Sequence, residues 1–132
     1  MTHPTLWITH RGERHQQAAL NSAPTEVAVT MRRSPSKDEV LALLPQMEFL
    51  VTERTGVIDA DMIAAGKNLR LIQRLGSQTY DIDLKAAKAA GIPVCTMPVR
   101  GCINVAEHML MQILTLAKHT RALMEVVAEG ND

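Results

Sequence analysis

The segment from residue 69 to residue 117 constrains the fold of this 132-residue chain more than any other part of the sequence. It contains an apolar run, a glycine loop, a short helical pattern, a second apolar run, a second loop and a long apolar helical pattern. This alternation predicts parallel strands joined by helices. In proteins of this class, small anions bind where the strands end, beside backbone amides and arginine side chains.

Short apolar runs alternate with helical patterns along the rest of the chain as well. Strands that are buried on both faces are short and largely apolar, so the pattern predicts a parallel sheet with helices on both faces. A chain of this length is expected to form one compact domain. The predicted strands are residues 6–10, 26–31, 47–52, 69–75 and 92–96.

Capping and helix-breaking residues mark the predicted helix boundaries. A serine or aspartate stands before three helical patterns and can cap each helix: Ser36 (or Ser34), Asp59 and Asp83. The same three helices are expected to end at Pro45, Gly66 and Gly91. An earlier helix is expected at about residues 13–20.

The last predicted helix, residues 104–128, is apolar on more than one side. Asn104 and Glu107 can form a capping box that starts it. Because its apolar residues exceed what one sheet face covers, a second face is expected to be buried against another surface. We therefore divide the chain into a sheet domain of residues 1–103, a helix of residues 104–128 and a frayed tail of residues 129–132.

Composition argues against several classes of partner. Lys plus Arg and Asp plus Glu both number 14, so no net charge attracts nucleic acid or an anionic membrane. The single Trp, Tyr and Phe are too few to stack on nucleic-acid bases. No run reaches the roughly 18 apolar residues of a membrane span. Two cysteines without an export signal predict reduced thiols and a cytoplasmic protein.

Basic residues recur where the predicted strands end. If the strands are parallel, these residues share one sheet edge, and the forked donors of arginine match a carboxylate or a phosphate. The sequence therefore predicts an anionic ligand at that edge. Alternatively, several of the arginines are solvated or pair with Glu53 and Asp81. The basic residues are His10, Arg11, Arg32, Arg33, Arg54, Arg74 and Arg100.

The loop after the fourth strand begins with Gly76, Ser77 and Gln78. Glycine permits a conformation in which successive backbone amides turn toward one point and hold a carboxylate. The alternative is an ordinary connection between a strand and a helix. Histidines at metal-ligand spacing, a G-x-G-x-x-G turn and a P-loop are all absent from the sequence, so neither a metal nor a nucleotide site is expected.

Three segments carry a family resemblance. ERTGVIDADMIAAGKNLRLIQRLGS, IDLKAAKAAGIPVCTMP and NVAEHMLMQILTLAK follow one another within residues 47–118. In order and spacing they resemble the amino-terminal catalytic, or substrate-binding, domain of the D-isomer-specific 2-hydroxyacid dehydrogenases. The resemblance implies a flavodoxin-like, three-layer α/β domain with five parallel strands in the order 2-1-3-4-5. It also implies that the long V-A-E-H helix crosses to a separate NAD(P)-binding domain.

The resemblance also implies a site. The loop matching Gly76, Ser77 and Gln78 holds the substrate carboxylate through its amides, with Arg74 beside it and Arg54 and Arg100 nearby. The sequence departs from the family pattern at two positions. The loop lacks the second glycine that relatives often have, and Gly101 stands where many relatives carry asparagine.

We therefore expect the substrate-binding domain of an NAD(P)-dependent D-2-hydroxyacid dehydrogenase, which interconverts 2-oxo acids and D-2-hydroxy acids. The family's glycine-rich turn and its catalytic arginine, glutamate and histidine are expected beyond this sequence. The isolated chain is thus expected to bind neither NAD nor NADP and to be inactive. Alternatively, the chain is a stand-alone, non-catalytic module that binds a small carboxylate or acts through protein contacts. The apolar helix of residues 104–128 is also expected to form a homodimer.

Overall fold

A computed structural model describes residues 2–97 and 100–130, apart from the side chain of Arg100. The chain divides into two compact units, residues 1–97 and 98–132. The second unit contains α5 (Arg100–Ala117) and α6 (Thr120–Ala128). The first unit contains β1 (His3–Thr9), α1 (Glu13–Asn21), β2 (Val27–Arg33), α2 (Lys37–Leu43), a 3-10 turn (Leu44–Gln46), β3 (Phe49–Thr52), α3 (Ala60–Ala65), β4 (Leu71–Arg74), α4 (Leu84–Ala89) and β5 (Val94–Cys95).

The five strands form one sheet in the order β2-β1-β3-β4-β5, and every neighbouring pair is parallel. The predicted parallel sheet and its order are confirmed. From β1 the chain moves to β2 on one side, whereas from β3 it moves to β4 on the other. The carboxyl ends of β1 and β3 therefore flank the crevice where doubly wound sheets bind ligands. Right-handed crossovers place α1 on one face and α2, α3 and α4 on the other.

The hydrophobic core lies between the sheet and α2, α3 and α4. Leu6, Leu50 and Ile72 are register partners across β1, β3 and β4, and none of them has exposed surface. The helices add Val40, Met62, Ile63 and Ala87 to the same cluster, and the 3-10 turn adds Leu44. The next row of the same sheet face is Ile8, Thr52 and Arg74, which places an arginine among buried residues.

The predicted helix caps of the first unit are confirmed. Ser36, rather than Ser34, caps α2, and its hydroxyl and the Glu39 side chain form a capping box. Asp59 and Asp83 accept the backbone amides of Met62 and Ala86 at 3.0 and 2.9 Å. Gly91 has φ +70°, the left-handed conformation predicted for it.

The prediction for the last helix is wrong in two respects. Helix α5 begins at Arg100, so Asn104 and Glu107 lie inside it and do not form a capping box. Residues 100–103 contain no helix breaker, and Gly101 costs only about 1 kcal/mol within a helix. The helix is also interrupted at His119, whose φ of +48° separates α5 from α6. Histidine tolerates this left-handed conformation better than most side chains do. Of the predicted tail, residues 131 and 132 lie outside the described residues.

Within the described residues, no helix is both long enough and apolar enough to cross a membrane.

An exposed ion-pair cluster joins the beginnings of α2 and α3. Lys37 Nζ lies 2.5 Å from Asp59 Oδ2 and 2.9 Å from Asp61 Oδ2. These carboxylates, Asp59 first, raise the pKa of Lys37 to about 12. In return, Lys37 lowers the pKa of Asp59 below its ordinary value. A carboxyl whose pKa is lower in the folded than in the unfolded chain stabilises the fold at pH values above its ordinary pKa. This stabilisation is lost as the pH falls through the lowered pKa.

We predict that Lys37→Met makes stability less dependent on pH in the acid range. In the unchanged chain, the free energy of unfolding should fall as the pH is lowered from about 5 through the ordinary aspartate pKa of about 4 and below. The free energy of unfolding of the variant should fall less steeply, because Asp59 then still caps α3 but no longer pairs with a cation. Urea unfolding between pH 3 and pH 7 measures this. Lys85→Met, at an exposed position of α4, is the matched control, and equal slopes for both variants would contradict the prediction.

Candidate functional site

The loop after β4 is held at both of its edges. The Leu75 amide donates to the Thr52 carbonyl at 2.9 Å, and the Gly76 carbonyl accepts from the Met97 amide at 3.1 Å. Gly76 has φ +158°, a backbone conformation that glycine adopts more readily than other residues. Ser77 and the following Gln78 are exposed. The loop is therefore a fixed turn with an open surface.

The amides of Gly76, Ser77 and Gln78 have no acceptor within the described part of the chain. In a trans peptide the C=O and N–H groups point in opposite directions. Because the Gly76 carbonyl points to Met97, which follows β5, the Ser77 amide points to the opposite side, toward β3. Free amides on an exposed turn at the end of a parallel strand suit an anion. The geometry is compatible with the predicted carboxylate site, and carboxylate binding itself stays a prediction.

Arg54 lies on the β3 side of this loop and is exposed. Its Nη1 donates to the Tyr80 hydroxyl at 3.2 Å, and this bond raises the pKa of Arg54 above its ordinary value. The two loops are also joined through their backbones, since Ile58 pairs with Ile82 in an isolated bridge. The fold thus brings Arg54 and the loop of Gly76 to neighbouring strand ends.

Arg74 has no exposed surface. Its Nη2 donates to Asp81 Oδ1, while Nε and Nη1 are buried without a hydrogen-bond partner among the described residues. A Cβ added at Gly76 would lie 3.8 Å from Arg74 Cδ, so the arginine runs beneath the glycine. The structure therefore places Arg74 under the loop and not on its surface.

The remaining basic residues divide into paired and exposed groups. Arg11 Nε donates to Glu53 Oε2 at 3.1 Å. Together with the Arg74–Asp81 pair, this confirms for two arginines the alternative that they pair with carboxylates. Arg32 and Arg33 are exposed, and each donates to a backbone carbonyl. Arg100 is the first residue of α5 in the second unit, and its side chain lies outside the described part of the structure.

Two contributors to this site were not identified from the sequence. Tyr80 holds Arg54 from a position 26 residues away, and the Met97 amide orients the Gly76 peptide. No local pattern marks either residue, because each acts on a neighbour that only the folded sheet brings near.

Known proteins resemble this chain in sequence. The sequence model of the family described as D-isomer specific 2-hydroxyacid dehydrogenase, catalytic domain, matches residues 8–129. A hydroxypyruvate reductase from Thermotoga maritima is 35% identical over 94 residues, which are 71% of this chain and 31% of that protein.

Two solved structures show the same fold. The 2-hydroxyacid dehydrogenase of Ketogulonicigenium vulgare matches with a TM-score of 0.70 and 21% identity. The match covers 99% of this chain and 41% of that protein's chain. An NAD⁺-bound 3-phosphoglycerate dehydrogenase from Entamoeba histolytica matches with a TM-score of 0.66 and 22% identity. The match covers 87% of this chain and 39% of that protein's chain.

This chain spans less than half the length of each of these relatives. Within the chain, however, the family match runs from β1 to the end of α6 and includes the loop of Gly76 and Arg54. The chain belongs to the D-isomer specific 2-hydroxyacid dehydrogenase family and corresponds to its catalytic domain.

Proposed function

We propose that this chain is the substrate-binding part of an NAD(P)-dependent enzyme that interconverts 2-oxo acids and D-2-hydroxy acids. One observation carries the proposal within this family. Three successive amides, those of Gly76, Ser77 and Gln78, have no acceptor among the described residues and lie on an exposed turn at the end of a parallel strand. A carboxylate accepts several hydrogen bonds at once, so it suits this set of donors.

Each proposed site residue has a distinct role. The loop amides hold the carboxylate of a small 2-oxo or 2-hydroxy acid. Arg54 offers a second, charged contact, and Tyr80 restrains its guanidinium through one hydrogen bond, leaving other N–H groups for the ligand. Arg74 supports the loop from beneath with a charge that Asp81 partly neutralises.

Reduction of a 2-oxo acid requires a nicotinamide held against the substrate carbon. The relative from Entamoeba histolytica holds NAD⁺. In this chain the residues that follow β1 are His10 and Arg11, with Gly12 alone before α1, and they do not fit a glycine-rich dinucleotide turn. We therefore propose that NAD or NADP binds to a separate domain reached through α5, and that the chain alone binds the acid without reducing it.

A second candidate is a stand-alone module that binds a carboxylate without catalysis. It is favoured by the fact that Arg54 and the loop of Gly76 lie in the same compact unit, residues 1–97. For either candidate we propose a cytoplasmic location. Cys95 and Cys102 are free and exposed, as suits a reducing compartment.

Binding is tested by titrating the chain with glyoxylate and pyruvate while the backbone amides are followed by NMR. We expect saturable shifts at Gly76, Ser77 and Gln78 with both acids. Pyruvamide, which lacks the carboxylate, should leave these amides unchanged. The absence of saturable shifts in this loop, or equal shifts with pyruvamide, would refute a carboxylate site there.

Catalysis is tested on the chain together with the coding sequence that continues it. Consumption of NADH with the same acids supports the dehydrogenase. Carboxylate binding without NADH consumption supports the stand-alone module.

We also predict that the chain forms a homodimer through α5 and α6. Both helices expose large apolar side chains, with Leu116 74% and Val127 78% exposed. Burial of such surface drives association. Sedimentation equilibrium at tens of micromolar should give the mass of a dimer, and replacing Leu110 and Leu114 of α5 with glutamine should shift it toward a monomer. A monomeric unchanged chain would contradict this prediction.

A further inference from the structure

A charged cluster lies in the crevice between the carboxyl ends of β1 and β3, and the proposed function does not use it. At its centre is Glu53, which follows β3 and whose side chain is 5% exposed. Glu53 Oε1 accepts from Thr9 Oγ1 at 3.0 Å, and Oε2 accepts from Arg11 Nε at 3.1 Å. His10 Nδ1 lies 3.2 Å from Oε2, and His15 Nε2 lies 3.8 Å from Oε1.

Four elements supply this cluster. His10 and Arg11 follow β1, His15 lies in the first turns of α1, and Glu53 follows β3. At the end of β2, Arg33 donates its Nε to the His10 carbonyl at 3.4 Å. Because β1 lies between β2 and β3, these residues converge at the carboxyl end of β1. The convergence depends on the sheet order and not on sequence proximity.

The cluster has more positive than negative groups. Arg11 pairs with Glu53, and Arg33 adds a second arginine at the His10 carbonyl. Glu13 and Arg14 in the first turn of α1 offset each other in charge. Glu53 is buried, whereas the side chains of Arg11, His10 and His15 are 54%, 58% and 43% exposed. A carboxylate behind a histidine or arginine fixes the orientation of that side chain.

Several donors of this cluster make no hydrogen bond to any described residue. The Nη groups of Arg11 and Nε2 of His10 have no hydrogen-bond partner among the described residues. Helix α1 adds free amides next to them, because its N-cap is Gly12, which has no side chain to cap it. Oriented cations beside free amides form a surface suited to an anion.

A metal ion does not fit this cluster. Across residues 2–97 and 100–130, no set of His, Cys, Asp and Glu side chains is arranged to hold one. The surplus charge is also positive, so the ligand must be negative. A phosphate group offers more acceptor oxygens to these arginine and histidine N–H groups than a carboxylate does.

We propose that the cluster around Glu53 is a second anion site, which binds phosphate or the phosphoryl group of a phosphate monoester. Arg11, His10 and His15 contact the phosphoryl oxygens, with Arg33 adding positive charge. Glu53 is a positioning residue that holds these side chains in place. Its residues differ from those assigned to the loop of Gly76, although Glu53 directly precedes Arg54 in the chain, and it does not depend on the proposed dehydrogenase function.

The experiment is a titration of the chain with inorganic phosphate, followed by NMR of the histidine rings and by calorimetry. We expect saturable shifts of the His10 and His15 rings in the unchanged chain. His10→Gln together with His15→Gln should weaken phosphate binding at least about tenfold, or about 1.4 kcal/mol. The matched control replaces the exposed His108 with glutamine and His119 with asparagine, and it should bind phosphate as the unchanged chain does.

Three further measurements accompany this titration. Thermal unfolding of each variant checks that the fold is retained. The ring shifts are measured on the unchanged chain, so they do not depend on whether a variant folds. Saturating glyoxylate should leave phosphate affinity unchanged, since the two ligands occupy different sites. Glycerol phosphate in place of phosphate shows whether a monoester is accepted as well. The proposal would be overturned by the absence of saturable shifts at the His10 and His15 rings, by equal phosphate binding in both double variants, or by displacement of phosphate by glyoxylate.

Discussion

Replacing Asp81 with alanine should lower the free energy of unfolding by about 3–5 kcal/mol, the range for leaving a buried charge without its partner. Arg74 has no exposed surface, and Asp81 is its only ion-pair partner among the described residues. Two further N–H groups of the same guanidinium are already buried without acceptors. Urea unfolding at neutral pH, followed by circular dichroism, measures the change.

A double variant separates the cost of an unpaired charge from the loss of a useful contact. Arg74→Met combined with Asp81→Leu removes both charges, so it should recover much of the stability that Asp81→Ala loses. Asp61→Ala is the control, because its carboxylate is 77% exposed and should contribute less than about 1 kcal/mol. The interpretation fails if Asp81→Ala costs no more than the control, or if the double variant is as unstable as the single one.

Gly76→Val should weaken glyoxylate binding roughly tenfold to a hundredfold, the loss expected for one hydrogen bond to a charged group. Space beneath Gly76 is sufficient, since the nearest atom to an added Cβ is Arg74 Cδ at 3.8 Å. The backbone is the constraint, because a β-branched residue does not readily adopt φ +158°. A change in that angle turns the Ser77 amide away from the ligand.

Calorimetry of the variant with glyoxylate measures this effect. Gly12→Ala is the matched control, because Gly12 has φ −71° and nothing within 4 Å of an added Cβ. It should bind glyoxylate as the unchanged chain does. Unchanged affinity in Gly76→Val would mean that the loop amides do not hold the carboxylate.

Local structure in the first unit could be predicted from neighbouring residues. Ser36, Asp59 and Asp83 cap helices by bonding amides three residues ahead, so the information lies within one helical turn. The same approach placed the last helix incorrectly. Asn104 resembles a cap, but an amide three residues ahead of it is equally well satisfied inside a continuous helix, and His119 carries no pattern that marks a break.

The position of Arg74 could have been inferred, but it was not. Residues two apart in a strand share a sheet face, so Arg74 lies on the same side as Ile72. The sequence does not show which face the larger group of helices covers, and without that knowledge an arginine at the end of a strand is expected to reach solvent. The structure instead buries Arg74 completely and pairs it with Asp81.

The sequence alone determined the parallel α/β architecture, the caps, the glycine loop and the basic strand ends, because each depends on the periodicity or chemistry of residues close together in the chain. Only the tertiary structure decided which of the arginines are free. Arg11 meets Glu53 across 42 residues, and Arg54 meets Tyr80 across 26. Burial and pairing depend on such distant neighbours, and the order of strands in the sheet decides which of them meet.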